Sequence, residues 1–215
     1  MTNQIKNDFD IIVIGGGLAG LTLCSLLAES PLKIACIDKD SFDEQSKPLF
    51  DGRTTAISYG SQKILSSAKV WDKIKLSDCP IPDIKILNGD SPVLLNFSSE
   101  EVGGKIFGWI AENSYIRHTL FEKINELDNV THIAPDAVVD FSKDEEFMTV
   151  HLSSGNKISA KLVIGADGRG SFTRKWMGIS HRSWSYHQRA LVCTVNHEHP
   201  HKNIAVEHFR KDGPF

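Results

Sequence analysis

The chain has 215 residues, with 24 Lys and Arg against 27 Asp and Glu, a formal net charge of −3, and no long block of one sign. That length accommodates one large or two small domains around a sizeable core. The charge balance supplies no basic face for nucleic acid, so a nucleic-acid partner is excluded from the expected functions.

Residues 9–14, "FDIIVI", form a β-branched run from Ile11 onward, of the kind expected for a strand covered on both faces. After Gly15, Gly16 and Gly17, "LAGLTLCSLLAES" places Leu18, Leu21, Cys24 and Leu27 or Ala28 at helical spacing, and Pro31 follows where the helix should have ended. The uncharged stretch 11–28 reaches the lower edge of membrane-spanning length. It follows Asp8 and Asp10 instead of a basic flank, and four glycines punctuate it, so it is expected to be a strand, a turn and a helix, with no membrane span and no leader. "LKIACID" is the second strand, and the strand, glycine turn, helix and strand together make a βαβ unit with parallel neighbours.

Farther on, "TTAISYGSQKILSSAKVW" is expected to be one helix. "PDIKILNGDSPVLLNF" is expected to form two strands around the hairpin signal Asn88-Gly89-Asp90. "VGGKIFGWIAE" follows as a strand, with Asn113 or Ser114 as the cap of a helix over "YIRHTLFEKINEL". From Ala137, "AVVDFSKDEEFMTVHLSSGNKISAKLVIGADG" alternates strand-like runs with polar turns, the pattern of an antiparallel meander. The tail "RALVCTVNHEHPHKNIAVEHFRKDGPF" adds further strand signal, and no internal repeat or low-complexity linker is present. The four cysteines, Cys24, Cys36, Cys79 and Cys193, form no C-x-x-C and sit mostly in apolar contexts such as "KIACID" and "ALVCTV". They are expected to be buried thiols of a reducing compartment.

Gly15, Gly17 and Gly20 fit G-x-G-x-x-G. The first allows a tight turn, the second lets the backbone approach a pyrophosphate, and the third lets the helix pack on the strand, with the anion at the helix's positive end. The pattern alone is weak. Its context strengthens it: a strand precedes it, a helix follows, and Asp38 ends the next strand where an acid accepts hydrogen bonds from an adenosine ribose. An acid there disfavours a ribose 2′-phosphate, so NADP is not expected in this pocket, while NAD and FAD both fit.

The second glycine corner separates those two. "LVIGADGRGSFTR", residues 162–174, resembles the strand-Gly-x-Asp-Gly-x-x-Ser-x-x-Arg element of flavin-dependent aromatic hydroxylases. The resemblance implies that Asp167, with Gly168 beside it, approaches the ribose and pyrophosphate region of FAD. Arg53, in "DGRTTAISYGSQKIL", resembles the arginine that reaches the cofactor in this group, where a planar cation suits a pyrophosphate. Arg117, in "ENSYIRHTL", resembles a helix residue lying over the dinucleotide, although an ordinary surface arginine fits that position as well.

Two stretches narrow the resemblance. "DGRTTAISYGSQKIL" and "QRALVCTVNHEHPHKNIAVEHFRKDGPF" are similar to ubiquinone-biosynthesis hydroxylases, which add oxygen to a polyprenylated phenol ring. The match runs from Phe9 to Phe215. It implies FAD as cofactor, NAD(P)H as electron donor, molecular oxygen as co-substrate, and a cytoplasmic setting peripheral to a membrane. His197, His199 and His201 alternate as metal ligands can, but Pro200 interrupts them and only Glu198 accompanies them, so no metal site is expected. No catalytic side chain is assigned, because in flavin monooxygenation the cofactor carries the hard chemistry.

The resemblance also implies a third motif, a Gly-Asp-Ala-rich turn followed by Pro and Gly-x-Gly, and residues 175–215 do not contain it. The chain is therefore expected to be the N-terminal portion of such an enzyme, acting with a second chain or a multi-enzyme complex, or else a non-catalytic fragment. A related flavoprotein such as a polyprenyl reductase is the other alternative. The expected fold is α/β: a doubly wound, parallel-sheet, Rossmann-like FAD-binding domain over residues 1–76 and 105–182, carrying an antiparallel meander. Part of a β-rich substrate domain is expected over 77–104 and 183–215.

Overall fold

The computed structural model describes residues 8–41, 52–75, 79–92 and 94–215. Its first 30 described residues build the expected βαβ unit. Strand β1 (Asp8–Ile14) enters the glycine turn, helix α1 (Leu18–Leu27) returns, and strand β2 (Ile34–Ile37) pairs in parallel with β1.

Two further parallel strands flank this pair. β8 (Val130–Ile133) lies beside β2, and β11 (Lys157–Gly165) lies beside β1 with Ile14 opposite Gly165. The sheet continues in antiparallel fashion through β10 (Met148–Leu152) and β9 (Val138–Lys143), giving the order β8-β2-β1-β11-β10-β9. The meander expected from Ala137 onward is therefore present and is hydrogen-bonded directly onto the parallel half.

Side-chain alternation divides the core between the two faces of the sheet. Ile11, Val13, Ile34 and Cys36 join Leu21 and Cys24 of α1 in one apolar cluster. The same cluster contains Ile116, Leu120, Phe121 and Ile124 of helix α4 (Asn113–Asn125), so two helices cover this face. Ile12, Ile14, Ala35 and Ile37 point the other way and pack against Phe141, Val150, Leu152, Ile158 and Ala160 of the meander. Burial on both faces explains why Ile11–Ile14 of β1 read as an unbroken apolar run.

The remaining strands form two smaller sheets. β3 (Thr54–Ser58) and β4 (Cys79–Ile81) flank β7 (Gly108–Glu112). β5 (Asp83–Asn88) pairs antiparallel with β6 (Leu95–Ser98) and parallel with β12 (Ile204–Arg210), which ends at β13 (Gly213–Pro214). All four strands of this second small sheet come from the segments expected to supply the substrate domain; the expected boundary between residues 76 and 77 lies outside the described residues.

Three local expectations are corrected. The stretch 54–71 is not one helix. Its β-branched front, Thr54-Thr55-Ala56-Ile57-Ser58, pairs with β7, and only then do helices α2 (Tyr59–Ser67) and α3 (Trp71–Ile74) follow. Ser58 makes that break, since its hydroxyl accepts the Ser61 N–H at 3.2 Å as an N-cap. Neither Asn113 nor Ser114 caps α4, because the N-cap residue is Glu112 with no side-chain hydrogen bond. The Asn113 side chain instead accepts from the Thr55 hydroxyl, and Ser114 is buried.

The cysteines are the third case. Cys24 and Cys36 are buried as expected, whereas Cys79 is half-buried and Cys193 is exposed. Residues 179–203 contain no helix or strand, so "ALVCTV" has no sheet to bury its side chains, and Leu191 is 92% exposed. Before this segment comes the short helix α5 (Phe172–Trp176), which packs its aromatic side chains on Phe141 of the meander.

Candidate functional site

Both glycine corners sit at the C-terminal ends of neighbouring parallel strands, where ligands bind in open α/β sheets. The Ala166 N–H donates to the Ile14 carbonyl at 2.7 Å, and the Gly15 N–H donates to the Ile37 carbonyl at 2.8 Å. These bonds draw the ends of β1, β2 and β11 together. The result is a cavity of about 400 Å³ whose lining includes Gly15, Gly17, Asp38, Asp136, Asp167 and Gly168.

The first corner is built around close backbone approach. Gly15 has φ +111°, and a Cβ there would lie 2.4 Å from the Ala166 carbonyl oxygen. A Cβ on Gly20 would lie 1.9 Å from the Gly15 carbonyl oxygen, which accounts for glycine where α1 crosses the strand end. Gly17 differs: a Cβ there would meet nothing within 4 Å, so it faces open space at the N-cap of α1. No acidic residue occupies the first turn of α1, and its N-cap makes no side-chain hydrogen bond. The helix's free N–H groups and positive end are left for an anion.

Asp38 closes this corner from the β2 side. One carboxylate oxygen accepts the Gly16 N–H, and the other accepts the Asp40 N–H at 2.8 Å. Its backbone is fixed as well, with its N–H donating to the Ile133 carbonyl at 3.0 Å and its carbonyl accepting the Asp136 N–H at 2.8 Å.

In the second corner, Asp167 spends its carboxylate on the local turn. It accepts the Ser171 hydroxyl at 2.5 Å, the Thr173 N–H at 2.9 Å and the Thr173 hydroxyl at 3.1 Å. Burial alone would raise its pKa, but these hydrogen bonds together hold the carboxyl below its usual range. Asp167 thus shapes the turn that presents the 166–168 backbone to the cavity, with Gly168 at φ +79°. Arg174 braces the same turn by donating to the Arg169 carbonyl at 2.8 Å.

Gly15, Gly17, Asp38, Asp167 and Gly168 therefore meet at one cavity, and Gly20 supports it from behind. Arg53 and Arg117 do not line it. Arg53 is exposed just ahead of β3, and its carbonyl accepts the Asn113 N–H at 3.1 Å; Arg117 lies in α4, so the two gather at the N-terminal end of that helix. The Arg117 Nε is buried without a hydrogen-bond partner among the described residues. The histidine turn is internally bonded: the His197 ring donates to the His199 carbonyl at 2.5 Å and the His201 ring accepts the Asn203 N–H at 3.0 Å.

Sequence reasoning missed Asp136, a 7% exposed carboxylate that lines the same cavity. In the sequence it stands in "IAPDAV", where Pro-Asp signals only a turn. Nothing in one sequence announces that its carboxylate is buried. A second cavity, of about 420 Å³, lies between α5 and the outer edge of β11, lined by Phe141, Leu162, Trp176, Met177 and Ile179 among others. On the side away from β1, residues 161–165 pair with no strand among the described residues, β10 reaching only residues 157–160.

These features fit a dinucleotide with its pyrophosphate at the α1 end and a ribose at Asp38. The glycine cradle admits no Cβ at Gly15 or Gly20, the first turn of α1 carries no acidic residue, and an acid terminates the adjoining strand. A family described as "FAD binding domain" matches residues 8–212. The ubiquinone hydroxylase UbiL of Rhodospirillum rubrum is 36% identical over 215 residues, covering all of this chain and 50% of that protein. The 3-demethoxyubiquinol 3-hydroxylase of Escherichia coli is 28% identical, covering all of this chain and 54% of that protein. Among solved structures, PqsL of Pseudomonas aeruginosa, a probable FAD-dependent monooxygenase, superposes with a TM-score of 0.70 at 18% identity over 84% of this chain and 48% of that one, a likeness of fold. The chain spans about half the length of these curated relatives. No helix among the described residues is long and apolar enough to cross a membrane. On the match that covers nearly its whole length, the chain belongs to the FAD-binding domain family.

Proposed function

We propose that this chain grips the FAD of a monooxygenase that hydroxylates a polyprenylated phenol ring in ubiquinone biosynthesis. The observation that carries the proposal is the meeting of the two glycine corners, the open end of α1 and Asp38 around one cavity. Gly15, Gly17 and Gly20 let the backbone and helix end approach the pyrophosphate. Asp38 accepts the ribose hydroxyls, and the Asp167 turn offers the 166–168 backbone from the opposite wall. Arg53 and Arg117 supply positive charge at the head of α4. When bound, FAD supplies the redox capacity that ring hydroxylation by molecular oxygen requires. NAD(P)H is the electron donor in this proposal.

The domain division proposed is 1–76 and 105–182 for cofactor binding, with 77–104 and 183–215 contributing to the substrate side. It is supported by the four-stranded sheet, which draws every strand from the latter segments. A polyprenylated substrate implies work at a membrane surface from the cytoplasmic side. The test is to purify the 215-residue chain, add FAD, remove excess and record the visible spectrum. Retained flavin colour supports the proposal; a colourless protein after FAD addition overturns it for this chain alone.

One observation favours a second reading, in which this chain is non-catalytic until a further polypeptide completes it. Among the described residues, residues 161–165 of β11 have no partner strand on the side away from β1, beside an apolar cavity. Retention of FAD without phenol-dependent oxygen uptake supports this second reading over the first.

A further inference from the structure

Asp136 is the only charged residue among the described residues with a buried side chain. Among the described residues its carboxylate meets no cation. One oxygen accepts the Ala137 N–H at 2.9 Å, the Ser153 hydroxyl at 2.6 Å and the Ser154 N–H at 3.1 Å, and the other accepts the Ser154 hydroxyl at 2.5 Å. The surrounding backbone is cross-tied: Ser153 N–H donates to the Ala137 carbonyl at 2.8 Å, and Ala137 N–H also reaches the Ser153 hydroxyl at 3.1 Å. The Asp136 N–H donates to the carbonyl of Asp38. One residue therefore joins three separate pieces of chain: the end of β2, the β8–β9 connection and the β10–β11 turn.

This knot stands at a particular place in the cavity. The glycines and the helix end occupy one side, Asp38 comes next, and Ala137 and Val138 form wall on the side where Asp136 contacts Asp38. A nucleotide with its phosphates on the helix end and its ribose on Asp38 places its base against that wall. Neither Ala137 nor Val138 has a polar side chain, so their contribution depends on where their backbone and small apolar surfaces are held.

We propose that Asp136 is a positioning residue that holds the Ala137–Val138 wall against the Asp38 end of the cavity and thereby sets affinity for the adenine half of the dinucleotide. The proposal rests on the FAD reading of this site and deepens it. A carboxylate suits the task because its two oxygens accept four donors at once, whereas Asn offers one accepting oxygen and confronts the Ser154 hydroxyl with an N–H group.

The experiment is calorimetric titration of the 215-residue chain with ADP, which carries only the adenine half, and with FAD. Wild type, Asp136→Asn and Ser154→Ala are compared at temperatures where circular dichroism shows each folded. The expected result is a dissociation constant raised about tenfold for both ligands in D136N and about threefold in S154A. Melting temperature of the ligand-free protein is followed in parallel. If D136N fails to fold, S154A decides. Unchanged ADP affinity with only a lowered melting temperature makes Asp136 purely structural and overturns the proposal, as does a loss of FAD affinity that spares ADP. Wild-type protein that takes up neither ligand overturns the FAD reading itself, and this proposal with it.

Discussion

Ile14 and Ala166 are joined by a 2.7 Å hydrogen bond from the Ala166 amide to the Ile14 carbonyl, immediately before the two glycine corners diverge. Because β1 and β11 run parallel in register, with Ile14 opposite Gly165, the two corners leave the sheet at the same level and both line one cavity. A one-residue slip of β11 would turn its side chains over and carry Asp167 away from the glycine turn. The bonded pair thus converts two motifs separated by about 150 positions in the chain into one site.

The glycines of the first corner separate support from contact, and substitutions should show it. Gly20→Ala places a methyl group 1.9 Å from the Gly15 carbonyl oxygen. The chain must shift, at a cost of about 1–3 kcal/mol or more. Gly17→Ala meets no atom within 4 Å, and Gly17 has an ordinary φ of −78°. It should lose only about 0.5–1 kcal/mol as an N-cap change. Its effect should fall on FAD, which is held at a distance by the new methyl, with binding weakened on the order of tenfold. Urea unfolding and FAD titration of both variants check the two halves; equal loss of stability in both would remove the distinction.

Acid should unfold the protein partly through two carboxylates. For Asp136 burial raises the pKa, and hydrogen bonds from Ser153, Ser154 and Ala137 outweigh it, leaving a net lowering from the ordinary 3.8. Asp167 behaves likewise, with Ser171 and Thr173 as donors. A carboxyl whose folded pKa is depressed contributes stability that is fully present above its unfolded pKa and is lost as pH falls through that value toward the folded one. Urea midpoints should therefore drop as pH falls below about 5, through 3.8 and on toward the lower folded values, and Asp136→Asn and Asp167→Asn should each flatten that drop while starting from lower stability at neutral pH. Unchanged acid limbs in both variants would exclude these groups as its origin.

The legible part of the fold is where local pattern and long-range packing demand the same residues. β1 is apolar from Ile11 to Ile14 because that part is covered on both faces, and the glycine turn is forced by approaches under 2.5 Å, so one sequence carries their signature. The Asn88-Gly89 turn follows the same logic, with Gly89 at φ +53°. The failures arise where a tertiary partner decides. Thr54–Ser58 precedes a real helix and is a strand only because β7 lies alongside. Asp136 looks like any turn aspartate, and its buried state depends on Ser153 and Ser154 arriving from the meander. Cys193 shows the reverse case, an apolar local pattern with no sheet to receive it.

Thiol chemistry should rank the four cysteines by exposure. Cys193 is exposed and should react with a disulfide reagent at the rate of a free thiol, and half-buried Cys79 should follow more slowly. Cys24 and Cys36 are fully buried in the helix-side cluster, and the Cys24 thiol beside Cys36, together with burial, pushes the Cys36 pKa upward. Both should react only on unfolding. Titration in native buffer and then in denaturant checks this; rapid modification of all four in native buffer would mean that α1 opens readily from the sheet.

The open edge of β11 should govern how the isolated chain behaves on heating. Leu162 is 51% exposed on a strand whose residues 161–165 lack an outer partner among the described residues, next to the apolar cavity bordered by Trp176, Met177 and Ile179. An unpaired edge beside exposed apolar side chains is a template for pairing between chains. Leu162→Lys adds a charge on that edge without removing a buried contact, so its effect on unfolding free energy should stay within about 0.5 kcal/mol. Its effect on self-association should be large, because a buried lysine would oppose edge-to-edge docking. Light scattering during a thermal ramp should rise later and less in L162K than in wild type, with urea midpoints nearly equal. The control is Val139→Lys, on β9 and 52% exposed but not among the residues lining that cavity. If V139K suppresses scattering as much as L162K does, added charge is responsible and the β11 edge is not the association site.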